Sequence, residues 1–157
     1  MNIVVVGLGQ TLRGDDAAGL AAVRRWQEKY PGTASRPGIR TETSELPGLS
    51  LLDLLEGAQA AVIVDAVHGA AQPGTLHRIG PDDLSAFTSD ALSAHGWGVA
   101  ETLQLGRRLF PTLAGCRITL IGVEAGRMEM GAGLSPEVEN VLGAVCDLIE
   151  KEVQTVL

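Results

Sequence analysis

The chain has 157 residues, about the size of one domain, and 45% of them are hydrophobic, so it is long and apolar enough to bury a sizeable core. Nineteen acidic residues against twelve basic ones give a formal net charge of −7, which disfavours binding to nucleic acid or to an anionic membrane surface. The sequence contains no apolar run of roughly 18 residues, the length of a membrane span, and its N-terminus lacks the basic region of a signal peptide.

Strand-like and helix-like segments alternate along the chain, and this pattern predicts an α/β layer architecture. Residues 2–6 and 60–67 are continuous apolar runs, which are typical of strands buried on both faces. Residues 38–44 and 117–123 are also predicted strands. Residues 75–79 alternate poorly, so they are predicted to form an edge strand.

The predicted helices lie between these strands. Apolar residues recur at helical spacing over residues 15–30, and Pro31 follows them as a stop signal. A short Leu-rich helix is predicted over 49–57, and a third helix carries Val99 to Phe110. Ser135 and Pro136 have the pattern of an N-cap followed by a first-turn proline, so they are predicted to open one final helix.

Residues 81–93 are polar and irregular, and no helix is predicted there. The five strands and about four helices have no linker or internal repeat between them. The sequence therefore predicts a single domain over 1–157, a three-layer α/β/α sandwich around a five-stranded, mostly parallel (mixed) sheet.

Both cysteines, Cys116 and Cys146, lie in apolar segments without CxxC spacing. This is typical of free, buried thiols in a reducing compartment, and it predicts a cytoplasmic protein. Neither cysteine has a plausible histidine partner, and no GxSxG elbow is present, so the sequence indicates no nucleophilic triad.

Polar side chains follow several of the predicted strands, at the edge where ligands of parallel sheets collect. Asp15 and Asp16 follow the first strand, Asp65 lies near the end of an otherwise apolar strand, and His95 lies in a Gly-flanked loop. Asp65 is the most informative of them, because a carboxylate in an apolar strand needs a partner, exposure or a cation.

Each of these residues also has a purely structural explanation. Asp65 could bond to the backbone of the turn that follows it, and Asp15 and Asp16 could satisfy free N–H groups at a helix start. We expect one of that pair to cap and the other to face the cleft. His95 alone could be a solvated loop residue, and His68 a bystander near Asp65.

Taken together, two carboxylates and an imidazole converging from separate strand ends form a divalent-metal site with open coordination positions. Such a metal can polarise a carbonyl or activate water, which is the chemistry of hydrolysis. The rival hypothesis is a dinucleotide site, because Gly7 and Gly9 resemble the start of a GxGxxG motif. Asp15 and Asp16 oppose it, since they place negative charge where a pyrophosphate needs positive potential.

Six segments resemble the hydrogenase maturation proteases, the endopeptidases that trim the large subunit of nickel–iron hydrogenases. They are VVVGLGQTLRGDDAAG at 4–19, VIVDA at 62–66, QPGTLHRIGPDDL at 72–84, SAHGWGVAETL at 93–103, LIGVEAG at 120–126 and GLSPEVENVL at 133–142. Their order and spacing match the family over nearly the whole chain.

The resemblance implies that Asp16, Asp65 and His95 are both the catalytic residues and the nickel-recognising triad. It implies a nickel-dependent endopeptidase of aspartic or metallo type that removes a short C-terminal peptide from a hydrogenase large-subunit precursor. The nickel is supplied by the substrate, so no permanently bound cofactor is expected. The other partner predictions are no nucleic acid, no membrane and a monomer.

Some positions depart from the family pattern. Gln10 stands where an Asn is common, Asp16 where some members have Glu, and residues 45–48 replace a Gly-rich turn. The last change is expected to alter the wall of the cleft, and hence the hydrogenase that is served. Trp97 could be a platform for the substrate tail or a residue that covers the core edge.

Two other classes of function stay open from the sequence. One is a metallohydrolase that holds its own divalent metal. The other is a non-catalytic domain that binds a metallated precursor or a nucleotide without cutting.

Overall fold

A computed structural model describes residues 1–45, 48, 50–69, 71–86 and 98–157 of the chain. The described part contains a five-stranded sheet whose strand order is β2-β1-β3-β5-β4. Its strands are β1 (Ile3–Leu8), β2 (Ile39–Ser44), β3 (Ala60–Val67), β4 (Leu76–Ile79) and β5 (Arg117–Glu124). All neighbours pair in parallel except β4, an edge strand antiparallel to β5. The predicted mixed sheet and edge strand are therefore confirmed.

Helices cover both faces of this sheet. A 3-10 turn, Gly14–Ala17, follows β1. The α-helices are α1 (Ala18–Lys29), α2 (Pro31–Ala34), α3 (Ser50–Leu54), α4 (Pro81–Ala86), α5 (Gly98–Leu109), α6 (Pro111–Ala114), α7 (Pro136–Glu139) and α8 (Leu142–Val156). Since helices lie on each side of the strands, the predicted three-layer sandwich is confirmed.

Two apolar cores separate the three layers, because successive strand side chains point to opposite faces of the sheet. In β3, Ala61 and Ile63 pack with the apolar residues of α3 and α5, whereas Val62 and Val64 pack with those of α1 and α8. Both faces of the central strands are therefore buried, as the continuous apolar runs predicted.

The structure corrects several helix predictions. The helix predicted over 15–30 begins as a 3-10 turn, and Pro31 and Pro111 each open a further one-turn helix at the N1/N2 position. Residues 81–86 form α4, whose first turn carries two acidic residues that suit a helix N-terminus. The rest of the segment predicted as irregular, 87–93, lies outside the described residues.

The predicted final helix is two helices. Ser135 caps α7 as expected, because its side-chain oxygen accepts a hydrogen bond from the N–H of Val138. The chain then turns at residues 140–141 before α8 begins at Leu142. Val138 and Leu142 are both fully buried on the same core, so the break keeps the apolar stripe intact.

Within the part of the chain that the structure describes, none of the helices combines the length and apolar character that a bilayer crossing requires.

Candidate active site

A cavity of about 530 Å³ opens at the carboxyl ends of β1, β2 and β3. β1 leads to α1 on one face of the sheet, whereas β3 continues through the edge strand β4 to α4 and α5 on the other face, which leaves a crevice between these adjacent strands. The described residues that line the cavity are Leu8, Gly9, Gln10, Arg13, Asp16, Ser44, Glu45, Gly48, Leu51, Asp65, Val99 and Thr102. Two of the three predicted site residues, Asp16 and Asp65, are therefore brought together in one cavity.

Asp16 reaches this cavity because the turn after β1 is unusually tight. Gly9 has a φ of 147°, and a Cβ at that position would lie 1.9 Å from the backbone oxygen of Asp16. Only glycine fits such a contact. The N–H of Asp16 donates to the carbonyl of Arg13 over 3.0 Å, which fixes the 3-10 turn that carries the carboxylate.

Asp65 occupies the sixth position of the eight-residue strand β3 and is only partly exposed, whereas all its neighbours in the strand are buried. By strand alternation it points to the same face as Ile63 and Val67, the face covered by α3 and α5. Asp65 thus lies near the end of an otherwise apolar strand, as predicted.

The two carboxylates are held in an environment that disfavours their charge. Burial raises the pKa of Asp65 to about 7, the negative charge of Asp16 adds to the rise, and a hydrogen bond from the Ala66 backbone opposes it. Burial also raises the pKa of Asp16, against the opposing effects of Arg13, the Gln10 backbone and His68. Two neighbouring carboxylates with raised pKa values are a common feature of functional sites and of cation sites.

Asp15, the neighbour of Asp16, has a different place in the fold. It is fully buried, and its carboxylate accepts four hydrogen bonds from two segments distant in sequence. The N–H groups of Gly126 and Arg127 lie 2.7 and 3.0 Å from Oδ2, the N–H of Ser135 lies 2.6 Å from Oδ1, and the Ser135 hydroxyl lies 2.7 Å from Oδ2. Burial acts to raise the pKa of Asp15, but these hydrogen bonds outweigh it and the pKa is lowered.

We expected one member of this pair to cap its own helix, and neither Asp15 nor Asp16 does so. No side-chain hydrogen bond caps the 3-10 turn or α1. Asp15 instead joins the turn after β1 to the loop after β5 and to Ser135, the N-cap residue of α7. The other half of the expectation, that one of the two faces the cleft, is met by Asp16.

Glu45, at a position where the sequence departs from the family pattern, also lines the cavity. Its side chain accepts the N–H of Thr11 over 2.6 Å, and its carbonyl accepts the side-chain amide of Gln10. The hydrogen bonds from Thr11 lower the pKa of Glu45. Leu46 and Pro47, the next two residues of this departure, lie outside the described residues.

The third predicted site residue, His95, lies outside the described residues, and so does Trp97. His68, the possible bystander, is exposed at the end of β3 and within electrostatic range of Asp16. His77 lies on β4, and its Nε2 is 2.9 Å from Oε1 of the buried Glu124. Across residues 1–45, 48, 50–69, 71–86 and 98–157, no group of three or more His, Cys, Asp or Glu side chains is placed to hold a metal.

Sequence reasoning missed Arg13 and Thr102 as cavity residues and missed the role of Asp15. Arg13 is an ordinary exposed arginine in a loop, and Thr102 lies on a helix that showed only an apolar stripe. The only available signal for Arg13 was its position between the turn after β1 and the two aspartates.

The fold and the cavity define an α/β/α sandwich protein with an acidic cleft at the carboxyl edge of a mixed sheet. A family model described as hydrogenase maturation protease (HycI) matches residues 46–152. The hydrogenase expression/formation protein HupD of Rhodobacter capsulatus is 31% identical over 138 residues, which cover 87% of this chain and 63% of HupD. The hydrogenase 2 maturation protease of Escherichia coli is 27% identical over 145 residues, which cover 90% of this chain and 84% of that protein.

Solved structures match over almost the full chain. The NiFe hydrogenase maturation protease HybD from Thermococcus kodakarensis superposes with a TM-score of 0.73 at 25% identity, covering 98% of this chain and 99% of that one. The hydrogenase maturating endopeptidase HybD from Escherichia coli superposes with a TM-score of 0.78 at 23% identity, covering 99% and 94%. This chain belongs to the hydrogenase maturation protease family. It spans 63% and 61% of the length of the HupD proteins from Rhodobacter capsulatus and Thiocapsa roseopersicina.

Proposed function

We propose that this protein is an endopeptidase that removes the C-terminal peptide from a nickel-loaded nickel–iron hydrogenase large-subunit precursor. The observation that carries the proposal is the pairing of Asp16 and Asp65 in one cavity, in a chain that belongs to this protease family. These two carboxylates come from separate strand ends and are far apart in sequence, so only the fold brings them together.

In this proposal the nickel belongs to the substrate, and the protease recognises a loaded precursor by binding its nickel. Asp16 and Asp65 supply carboxylate oxygens, and His95, which lies in the family-like segment at 93–103, supplies an imidazole nitrogen. Nickel accepts both kinds of ligand. A precursor without nickel would leave two carboxylates of raised pKa facing each other without a cation, so it would bind less well.

The reaction we propose is hydrolysis of one peptide bond. The oxygen of a water molecule attacks the scissile carbonyl carbon, and the carbonyl electron pair moves onto the carbonyl oxygen. The C–N bond then breaks, and the leaving nitrogen takes a proton to become an amine. Asp16 and Asp65 are the carboxylates in the cavity that can accept the proton from water.

We also propose that the protein works in the cytoplasm as a monomer. Cys116 and Cys146 are free thiols and both are buried, which supports a reducing compartment. The net charge of −7 supports a protein partner rather than nucleic acid.

The test is to incubate the purified protein with a nickel-loaded large-subunit precursor and with the same precursor without nickel, and to measure both masses. We expect loss of a short C-terminal peptide from the loaded form alone. Large subunits from several hydrogenases should be compared, because the altered cavity wall at Glu45 is expected to restrict the choice of partner.

Two results would contradict the proposal. Intact precursors together with a metal that copurifies tightly with the protein would favour a hydrolase with its own ion. Binding of the loaded precursor without any cleavage, unchanged in the Asp65→Ala variant, would favour a non-catalytic binding domain.

A further inference from the structure

Arg13 is a cationic side chain in the wall of an acidic cavity. Of the described residues that line this cavity, Asp16, Glu45 and Asp65 are acidic, and Arg13 alone among them carries a permanent positive charge. Its charge lies close enough to Asp16 to act on it electrostatically. The fold therefore places one fixed positive charge among three carboxyl groups.

The backbone of Arg13 is fixed on both sides. Its N–H donates to the carbonyl of Gln10 over 3.2 Å, and its own carbonyl accepts the N–H of Asp16 over 3.0 Å. The next residue, Gly14, has a φ of 55° and lies so close to the carbonyl of Arg127 that a Cβ there would be 2.5 Å from it. These three contacts fix the backbone position of Arg13, and hence the point on the cavity wall from which its side chain extends.

The Arg13 guanidinium acts on Asp16 through its charge, but among the described residues it has no hydrogen-bond partner. In the part of the chain that the structure describes, Arg13 takes part in no salt bridge within 4.0 Å and in no side-chain hydrogen bond, although Arg25, Arg40, Arg78 and Arg127 each do. A guanidinium offers five donors in a planar fork that suits carboxylate-like oxygens. These donors are available to a molecule that enters the cavity.

Hydrolysis of a peptide bond in this cavity creates negative charge close to three acidic side chains. When water attacks the scissile carbonyl, its oxygen becomes an oxyanion, and the product ends in a new carboxylate. In a cleft lined by Asp16, Glu45 and Asp65, that charge is repelled unless a positive group faces it. Donors aimed at the developing oxyanion are among the largest contributions to catalysis.

We propose that Arg13 is a catalytic residue that donates hydrogen bonds from its guanidinium to the oxygen of the scissile carbonyl as that oxygen becomes negative. This inference rests on the proposed endopeptidase function and adds to the site a residue outside the set Asp16, Asp65 and His95. Arg13 forms no covalent bond in the step. It stabilises the charge and then binds the carboxylate of the shortened product.

The test is single-turnover cleavage of the nickel-loaded precursor by the full chain and by Arg13→Lys, Arg13→Gln and Arg13→Ala. At saturating protein we expect the alanine and glutamine variants to be slower by about 10²-fold or more, the size of effect of losing one oxyanion donor. The lysine variant should recover part of the rate, because it keeps the charge and loses the fork. Binding of the loaded precursor should change little.

Arg36→Ala is the matched control, since Arg36 is an exposed arginine before β2, at the opposite end of the parallel strands, and it does not line the cavity. It should cleave at the wild-type rate. The urea midpoints of the Arg13 variants should equal that of the wild type, because the side chain has no bond in the described fold to lose.

Three results would overturn the inference. They are a saturating rate of Arg13→Ala within about 3-fold of wild type, a loss confined to precursor binding, and equal rates for the lysine and glutamine variants. Failure of the proposed function is distinguishable from these, because it shows as no cleavage by the wild type, and it would overturn the inference as well.

Discussion

Asp15 and Asp16 are adjacent in sequence and have opposite electrostatic surroundings. Four hydrogen bonds lower the pKa of Asp15 in spite of its burial, whereas burial raises the pKa of Asp16. The first carboxylate is therefore stably ionised and used by the fold, and the second is left for the cavity. An aspartate that ties its own turn to both ends of the loop between β5 and α7 holds the next residue in place.

We predict that Asp15→Ala lowers the free energy of unfolding by about 3–5 kcal/mol, because it leaves the buried N–H of Ser135 and the part-buried N–H groups of Gly126 and Arg127 without their acceptor. Urea denaturation measures this loss. Glu129→Ala is the matched control: Glu129 is an exposed acidic residue of the same loop, and its removal should change stability by less than about 0.5 kcal/mol. A loss below about 1 kcal/mol for Asp15→Ala would contradict this account.

The effect of Asp65 on the free energy of unfolding depends on pH in the direction opposite to that of Asp15, because its pKa is raised rather than lowered. Since burial and the Asp16 charge raise its pKa from 3.8 to about 7, the folded protein binds this proton more tightly than the unfolded chain does. Its contribution to stability is therefore fully present below about pH 4 and is lost as the pH rises to about 7.

The Asp65→Asn variant should not lose stability as the pH rises toward 7, because its side chain does not ionise. We predict that this variant is more stable than the wild type by roughly 2–4 kcal/mol at pH 8, and that the difference falls toward zero near pH 4. Unfolding free energies measured by urea denaturation across this range give the comparison. Asp53→Asn, a change to an exposed carboxyl group on α3, should show no such dependence. A constant difference between wild type and Asp65→Asn would show that the carboxyl group is not held in an unfavourable environment.

The sequence was informative about Asp65 and much less so about its neighbours. A charged residue in the apolar run of β3 conflicts with its surroundings, and that conflict is visible without a structure. Asp15 and Asp16 both fit a helix start, and what separates them is contact with residues 126–135, more than a hundred positions away. Arg13 conflicts with nothing in the sequence, so only the cavity reveals it.

At the scale of elements, the turn between β1 and the 3-10 turn decides where Asp16 lies. Its geometry depends on Gly9, which has both a positive φ of 147° and a contact that a side chain would not fit. Gly57 provides a comparison, since it has a φ of 76° but nothing within 4 Å of the place where a Cβ would lie.

We predict that Gly9→Ala destabilises the protein by about 3 kcal/mol or more, because it adds a clash with the Asp16 carbonyl to the backbone strain. Gly57→Ala should cost only the strain, about 1–2 kcal/mol. Thermal or urea unfolding of the two variants separates these contributions. Equal losses in the two variants would mean that the turn relaxes and that Gly9 is not needed for the close approach.

The elements themselves were predicted in order and type wherever a hydrophobic period was continuous. The prediction was wrong where the helical spacing of apolar residues continues across a break in the helix. Between α7 and α8, Val138 and Leu142 are four residues apart and both buried, so the sequence pattern does not show the turn that separates the two helices. It also missed α4, since a six-residue helix with two aspartates in its first turn lacks the apolar stripe of a longer one.

At the scale of the whole molecule, the strand order explains the site. β1 and β3 are neighbours in the sheet, and β1 leads to a helix on one face whereas β3 continues through β4 to helices on the other, so the cavity forms at their carboxyl ends. Most of the sheet is parallel and buried by helices on both faces, so the core fixes the strand that carries Asp65, while Asp16 lies in the 3-10 turn that follows the neighbouring strand. The fold thus provides an acidic cleft, and the proposed substrate supplies the cation.

The most direct test of this account is the mass of a nickel-loaded large-subunit precursor after incubation with wild-type protein, Asp16→Asn, Asp65→Asn and the surface control Asp53→Asn. Asparagine keeps the size of each side chain and removes its charge. We predict that the wild type and Asp53→Asn release the C-terminal peptide, whereas the two cavity variants leave the precursor intact or are at least about 10²-fold slower. Cleavage at the wild-type rate by either folded cavity variant would contradict the claim that Asp16 and Asp65 form the site.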